Sequence, residues 1–111
     1  MANVFKSKTF TGASTNANTS MTVYTVPSST TAIVIGLNLA NISNSLLSVD
    51  VQINKATGDD VYVAKAVPIP TGGSLELMTG NKYVLETGDI VTVKSSVANS
   101  LDSMLSIMEQ S

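Results

Sequence analysis

Carboxylates, serines and lysines are the side chains of this chain that could do chemistry, because the sequence contains no histidine, cysteine or arginine. Those absences remove the usual general base, the usual transition-metal ligand and the thiol nucleophile. A pair of carboxylates could still serve glycoside hydrolysis. The acidic candidates for such a pair are Asp59, Asp60, Glu76, Glu86, Asp89 and Asp102.

The adjacent carboxylates of Asp59 and Asp60 follow a glycine in the stretch KATGDD. This pattern is typical of a solvated turn at the start of a strand, and a calcium site at the same turn is the alternative. A sugar-binding groove usually presents aromatic faces. The chain has no tryptophan, and Tyr24, Tyr62 and Tyr83 fall on three different predicted strands. The pattern therefore predicts no aromatic groove.

A serine activated by a lysine is the other catalytic arrangement, with Lys94 beside Ser95 and Ser96 as the example. Neighbours along a strand point to opposite faces, so Lys94 and Ser95 are not expected to meet.

The pair Gly88-Asp89 indicates a turn, in which the glycine takes a positive φ and the carboxylate accepts hydrogen bonds from the local backbone. We predict a protein that is not an enzyme and has no cofactor and no metal site.

Charge is sparse and evenly spread. Charged residues make up 13% of the 111 residues and the net charge is −2, against about 25% charged residues in an average domain. The six lysines are scattered singly, so no basic stripe exists for counterion release and nucleic-acid binding is not expected. Serine and threonine total 28 residues. Such a neutral, hydroxyl-rich surface is easier to bury against a partner and favours an assembly subunit.

Membrane and secretion signals are not found in the sequence. The first ten residues, MANVFKSKTF, lack the apolar region of a signal peptide. The longest apolar run, residues 32–35, is too short to span a bilayer. We expect the chain to be made in the cytoplasm, to stay soluble and not to contact a membrane.

Alternation with period two dominates the chain and is clearest in LLSVDVQIN. Leu47, Val49, Val51 and Ile53 point to one side, and the residues between them are polar. This is the pattern of a strand with one buried face. We predict that all four apolar residues lie in the core and that Asp50 faces solvent.

The segment TAIVIGLNLAN is apolar on both sides at its start. One alternating set runs from Ile33 to Leu39, and the other runs from Ala32 to Ala40 and includes Val34. The segment is predicted to be a central strand, or a strand whose second face is covered by another chain. Gly36 in its middle suggests a β-bulge or a close backbone approach.

The remaining candidates bring the count to eight or nine short strands about ten residues apart, which indicates one antiparallel sandwich or barrel. The first strand, NVFKSKTF, is expected at a sheet edge. The segment ending in Pro68 and Pro70 is expected at an edge or out of the sheet. Thr79-Gly80-Asn81 is interpreted as a hairpin-like linker, and residues 11–20 as a surface loop or flexible arm.

The ending SLDSMLSIMEQ fits two structures. Leu101, Met104, Leu105 and Met108 form a helical stripe, with Ser100 as a possible N-cap. With period two, the leucines share one face and the two methionines lie on the other. Because every other segment favours strand and a lone terminal helix is marginal without packing, we predict a strand.

Methionine suits both irregular core gaps and adaptable contacts. Core filling is one role for Met21, Met78, Met104 and Met108. A subunit interface is the alternative for the last two, which face away from the leucines in the strand prediction. The predicted subunit interface consists of Ile33, Val34, Ile35, Met104 and Met108.

Several blocks, in order over nearly the whole chain, resemble small virion proteins of tailed bacteriophages, especially phages of cyanobacteria and marine bacteria. The most specific are VYTVPSSTTAIVIGLNLAN and the pair VPIPTGGSLELM and YVLETGDIVTVKSS; ANVFK, VDVQI and ANSLDSMLSIME also match. Residues 11–20 match least. These are structural motifs, so the resemblance brings no active-site residues.

The resemblance implies a virion structural protein present in many copies, and in that family the ending is a strand. With it we predict an all-β fold, a single antiparallel jelly-roll-like β-sandwich domain of about eight strands over residues 1–111. The expected function is capsid decoration, with a neck or tail accessory protein and a receptor- or glycan-binding module as alternatives. The expected location is the virion, and the expected partners are other copies of the chain and the major capsid protein.

Overall fold

Alternating apolar residues and β-branched side chains shape this chain into strands throughout. The computed structural model describes residues 3–10, 16–77 and 83–110, with no side chain described for Phe10. The strands are β1 (Asn3–Phe10), β2 (Met21–Thr25), β3 (Thr31–Asn41), β4 (Leu47–Asn54), β5 (Val61–Ile69), β6 (Ser74–Leu77), β7 (Tyr83–Leu85), β8 (Ile90–Ser95) and β9 (Leu101–Gln110). Met78, the linker Thr79-Gly80-Asn81, Lys82 and residues 11–15 of the predicted arm lie outside the described residues.

Two antiparallel sheets pack face to face, which confirms the predicted β-sandwich. One sheet has the order β1-β9-β3, with β6 and β7 both paired to the far side of β3, and the other has the order β2-β8-β4-β5. Counting β6 and β7 as one interrupted strand leaves eight strands in the jelly-roll order, in which consecutive strands lie in different sheets except for the paired strands β4 and β5. Both β1 and β5 lie at sheet edges, as the lysines of β1 and the prolines at the end of β5 predict.

The prediction of a hairpin between β6 and β7 is wrong. Leu77 pairs with Leu37 and Leu85 pairs with Ala32, so both strands run antiparallel to β3 and in the same direction. They do not form a ladder with each other in the described residues. The local pattern of glycine and asparagine suits a hairpin turn. Both β6 and β7 pair with β3 instead, because their inward apolar residues are packed together with the apolar face of β3.

The core forms from the inward positions of both sheets. Leu47, Val49, Val51 and Ile53 are all buried, which confirms the face assigned to β4. The prediction of a strand at the C-terminus is also confirmed, because Leu101, Leu105 and Ile107 of β9 are buried at period two. Burying such side chains contributes roughly 25 cal/mol for each Å² of apolar surface removed from water.

A bulge in β3 changes which of its residues face the core. The register with β9 shifts between Val34 and Gly36, as Gly36 predicted. Before the shift Ala32 and Val34 face inward, and after it Leu37 and Leu39 do. Strict alternation places Ile33 and Leu37 on one face, and this prediction is wrong because a bulge adds a residue and reverses the phase.

Candidate interaction surface

A row of apolar side chains crosses the outer face of the five-stranded sheet. Phe5 of β1 pairs with Met108 of β9, Met108 pairs with Ile33 of β3, and Ile33 pairs with Val84 of β7. Phe5 is 73% exposed and Val84 is 62% exposed. Cross-strand neighbours on one face are in contact distance, so these four side chains form a continuous strip, which we call the apolar row.

The structure divides the five residues of the predicted subunit interface. Ile33 and Met108 belong to the apolar row, while Ile35 and Met104 are exposed on the same outer face. Val34 is only 2% exposed and packs in the core, so it is removed from the predicted surface. The bulge explains the difference, since Val34 is the last inward residue before the phase of β3 reverses. Whether the other four contact a partner stays a prediction.

The two outer faces of the sandwich differ in charge. Of the described residues on the outer face of the five-stranded sheet, the charged ones are Glu76 and Asp102, and both lie toward one end. The outer face of the four-stranded sheet instead carries Asp50, which interacts with the ammonium groups of Lys65 and Lys94 at 3.5 Å each. Desolvation is costlier for a charged face, so the outer face of the five-stranded sheet, with its charges confined to one end, is the better candidate for burial against a partner.

Asp50 is on the predicted face of β4, but it does not simply face solvent, and that part of the prediction is wrong. Its side chain is only 12% exposed. The backbone N–H of Ala66 donates to Asp50 Oδ1 at 2.6 Å, at a bulge of β5 where Ala66 has a φ of 52°. Burial alone would raise the pKa of Asp50, but this hydrogen bond and the two lysines outweigh it and lower the pKa.

We therefore expect Asp50→Ala to lower the free energy of unfolding by about 1–2 kcal/mol, because the N–H at the bulge loses its acceptor. Val51→Ala, which empties part of the core, should cost about 1–3 kcal/mol. Urea denaturation of both variants measures the two losses. Asp59→Ala, at an exposed turn, is the control and should stay within roughly ±0.5 kcal/mol. An Asp50→Ala loss no larger than that of the control would show that the carboxylate does not hold the bulge.

A cleft opens between the two sheets where β5 and β7 form their edges. It has a volume of about 350 Å³ and is lined by residues 61–63 of β5, by all three residues of β7, by Ile53 of β4 and by Lys55, which follows β4. Tyr62 and Tyr83 both border this cleft, although the sequence predicts no aromatic groove, and the ring of Tyr62 also lies under the ammonium of Lys65, 4.5 Å from the ring centroid. The two tyrosines are on strands of different sheets, so only the packing of the sheets places both at the edge of one cleft.

The turn before β8 is tied to the turn after β4 through Asp89. Its carboxylate accepts hydrogen bonds from the backbone N–H groups of Ala56 (3.0 Å) and Glu86 (2.9 Å) and pairs with the ammonium of Lys55. Gly88 has a φ of 87°, and a Cβ there would lie 3.0 Å from the Cβ of Ala56. The predicted turn chemistry is confirmed, and the partner turn and the ion pair of buried Asp89 with partly exposed Lys55 are additions that the sequence did not reveal.

Glu109 of β9 carries a second buried contact that sequence reasoning missed. The hydroxyl of Tyr24 donates to Glu109 Oε2, and the ammonium of Lys6 lies 2.9 Å from Oε1. The hydrogen bond from Tyr24 and the ammonium of Lys6 lower the pKa of Glu109, while burial and the carboxylate raise the pKa of Tyr24. The signal was available, since Glu109 continues the inward alternation of Leu105 and Ile107.

Lys94 and Ser95, the example of a serine beside a lysine, do not meet. Lys94 points to the outer face beside Asp50, whereas the hydroxyl of Ser95 is buried against that of Ser100 at 2.8 Å, as alternation predicted. Asp60 accepts a hydrogen bond from the amide of Asn54 at an exposed turn. Among residues 3–10, 16–77 and 83–110, no group of three or more acidic side chains is arranged to hold a metal ion. In the same part of the chain, no helix is long and apolar enough to span a membrane.

Comparison with known proteins identifies a similar fold but not a family. No protein-family model matches the chain, and no curated protein matches it either. A solved structure described as the acidic stable capsid structure of Helicobacter pylori bacteriophage KHP30 is similar, with a TM-score of 0.52 and 12% sequence identity. The match covers 98% of this chain and 87% of that one. At this identity the similarity shows that the two chains share a fold over nearly their whole length.

Proposed function

We propose that this protein is a non-enzymatic structural component of a bacteriophage virion, specifically a decoration protein that binds the capsid shell in many copies. The proposal is supported by the fold shared with a chain of a phage capsid structure and by the resemblance of the sequence blocks to phage virion proteins. The observation that carries it is the outer face of the five-stranded sheet, which combines exposed apolar side chains with few charges. The phage host group suggested by the sequence blocks stays a prediction.

The outer face suits contact with a large protein surface. Exposed Ile35 and Met104 lie on it together with the apolar row, and contiguous exposed apolar patches of this kind typically mark interaction sites. Apolar surface stabilises a contact as it leaves water, and methionine adapts its shape to the partner. We assign this face to the capsid shell.

Binding of the purified protein to capsids that lack it tests this assignment. We expect Ile35→Asp and Met104→Asp each to weaken binding by about tenfold or more, because each places a charge in a contact that is apolar. Leu46→Asp is the matched control, since Leu46 is an exposed apolar residue on the loop between β3 and β4. Full binding by both face variants would contradict the assignment.

The place of the protein in the particle separates decoration from the neck or tail role. Electron microscopy of virions with a labelled protein should show label over the whole shell for a decoration protein. Label at the tail vertex alone would favour the accessory role. The receptor- or glycan-binding alternative is favoured by one observation, the cleft with Tyr62 and Tyr83. A glycan array with no signal above background would remove it.

A further inference from the structure

The two lateral edges of the five-stranded sheet are complementary to each other. In the described residues, β1 forms a ladder only with β9, and β7 forms one only with β3. The outer sides of β1, eight residues long, and of β7, three residues long, therefore carry backbone N–H and C=O groups that have no ladder partner among the described residues. Such edges readily add a strand from another chain.

Strand direction permits the two edges to join between copies in the same orientation. β1 runs antiparallel to β9, β9 to β3, and β3 to β7, so β1 and β7 run in opposite directions. A second copy placed beside the first without being turned over brings its β1 antiparallel to β7. Phe5 and Val84 lie at opposite ends of the apolar row, so the two edges are also at the same level of the sheet.

The side chains at the two edges also fit. On β1, Phe5 belongs to the outer face and exposed Val4 to the opposite one. A copy of β1 beside β7 sets Phe5 against Val84 on the outer face. It also directs Val4 toward the cleft between β7 and β5, whose volume of about 350 Å³ leaves room for several side chains.

Charge favours this contact over pairing of two β1 strands. Lys6 and Lys8 lie on one face of β1, and Lys6 is paired with Glu109 of its own chain, so Lys8 is the residue that two β1 strands side by side would set against a like charge. At the cleft, Lys55 is already paired with Asp89. Glu86, which follows β7, and the adjacent Asp59 and Asp60, which precede β5, are exposed carboxylates. Lys65, over the ring of Tyr62, interacts with Asp50. The exposed carboxylates beside the cleft therefore complement Lys8 of β1.

We propose that copies of this chain associate head to tail, with the β1 edge of one copy paired to β7 and covering the cleft between β5 and β7 of the next. The contact joins two different patches, so it repeats from copy to copy and produces a closed ring or an open chain. This inference builds on the proposed structural role and names the contact between neighbouring copies.

Cysteine cross-linking tests the contact cleanly, because the chain contains no cysteine. Phe5→Cys and Val84→Cys are introduced into separate preparations that carry tags of different size, and the mixture is oxidised free in solution and bound to capsids. Within one chain the two sites are three strand spacings apart, about 14 Å, beyond the reach of a disulfide. We expect the mixed disulfide between the two variants to be the dominant product.

A second substitution on the β1 edge, compared with one away from it, tests whether the edges cause the cross-link. Adding Val4→Asp to the Phe5→Cys chain should reduce the yield of the mixed disulfide by about tenfold. The new carboxylate would enter a cleft that has apolar lining residues and exposed carboxylates beside it. Adding Leu46→Asp instead should leave the yield unchanged. A product consisting of Phe5→Cys homodimers would overturn the proposal in favour of β1–β1 pairing. No mixed disulfide in either sample would overturn it as well.

The test separates this inference from the proposed function, since capsid binding is measured in the same samples. Capsid binding without the mixed disulfide leaves the virion role intact and removes the head-to-tail contact. The mixed disulfide without capsid binding supports the head-to-tail contact and removes the proposed capsid role. If cross-linking is absent and a glycan signal disappears in Tyr62→Ala, the cleft is a sugar site and the proposed contact is wrong.

Discussion

Replacement of Asp89 by alanine is expected to lower the free energy of unfolding by about 3 kcal/mol, among the largest effects of any substitution in this chain. The residue is 1% exposed. The change leaves the ammonium of Lys55 without its partner and two backbone N–H groups, of Ala56 and Glu86, without their acceptor. Unsatisfied buried donors are costly because they have lost water as well.

Urea denaturation at neutral pH measures the loss, and Glu86→Ala is the control. The backbone N–H of Glu86 makes the hydrogen bond and is kept in this variant, while its exposed carboxylate adds only a weaker electrostatic attraction to Lys55. The control should stay within roughly ±0.5 kcal/mol. Equal losses for the two variants would show that the tie between the turns after β4 and before β8 does not depend on the Asp89 carboxylate.

Acid titration gives an independent check of the same contact. Burial alone would raise the pKa of Asp89, but the ammonium of Lys55 and the two N–H donors outweigh it and hold the pKa below its ordinary value of 3.8. The carboxylate therefore contributes its full stability above the unfolded-state pKa and loses it as the pH falls through the folded-state pKa. The difference between wild type and Asp89→Ala should be constant near neutral pH and shrink below about pH 4.

Leu105→Ala should cost about 3 kcal/mol, within the range of about 2–5 kcal/mol for emptying a fully buried leucine site. Leu105 is completely buried on β9, between β1 and β3. Its neighbour Met104 is half exposed on the outer face, so Met104→Ala should change the stability of the monomer by no more than roughly 0.5 kcal/mol.

Thermal or urea denaturation at low protein concentration compares these two variants without a contribution from association. The comparison also decides between the two structures that fit the C-terminal sequence. A helix places Met104 and Leu105 on the same stripe and predicts similar losses, whereas the strand predicts a large loss only for Leu105. Similar losses for both would contradict the strand.

Much of the fold was determined by the local pattern of the sequence. Alternation identified the inward residues of β4 and β9 and located Asp50 on the outer face. Gly36 indicated the bulge, and prolines and lysines indicated the edge strands. These predictions succeeded because the two faces of a strand are set by a period of two residues, and that period is visible within a short stretch of the chain.

Contacts between strands distant in sequence were decided only by the tertiary structure. The apolar row combines single residues from four strands, and the cleft combines Tyr62 and Tyr83 from different sheets. The pairing of Lys55 with Asp89 likewise joins residues 34 positions apart. Periodicity says which face a residue takes but not which strand lies beside it. Strand order is set by how the apolar faces of all the strands are buried together, so the candidate surface could not be assembled from the sequence alone.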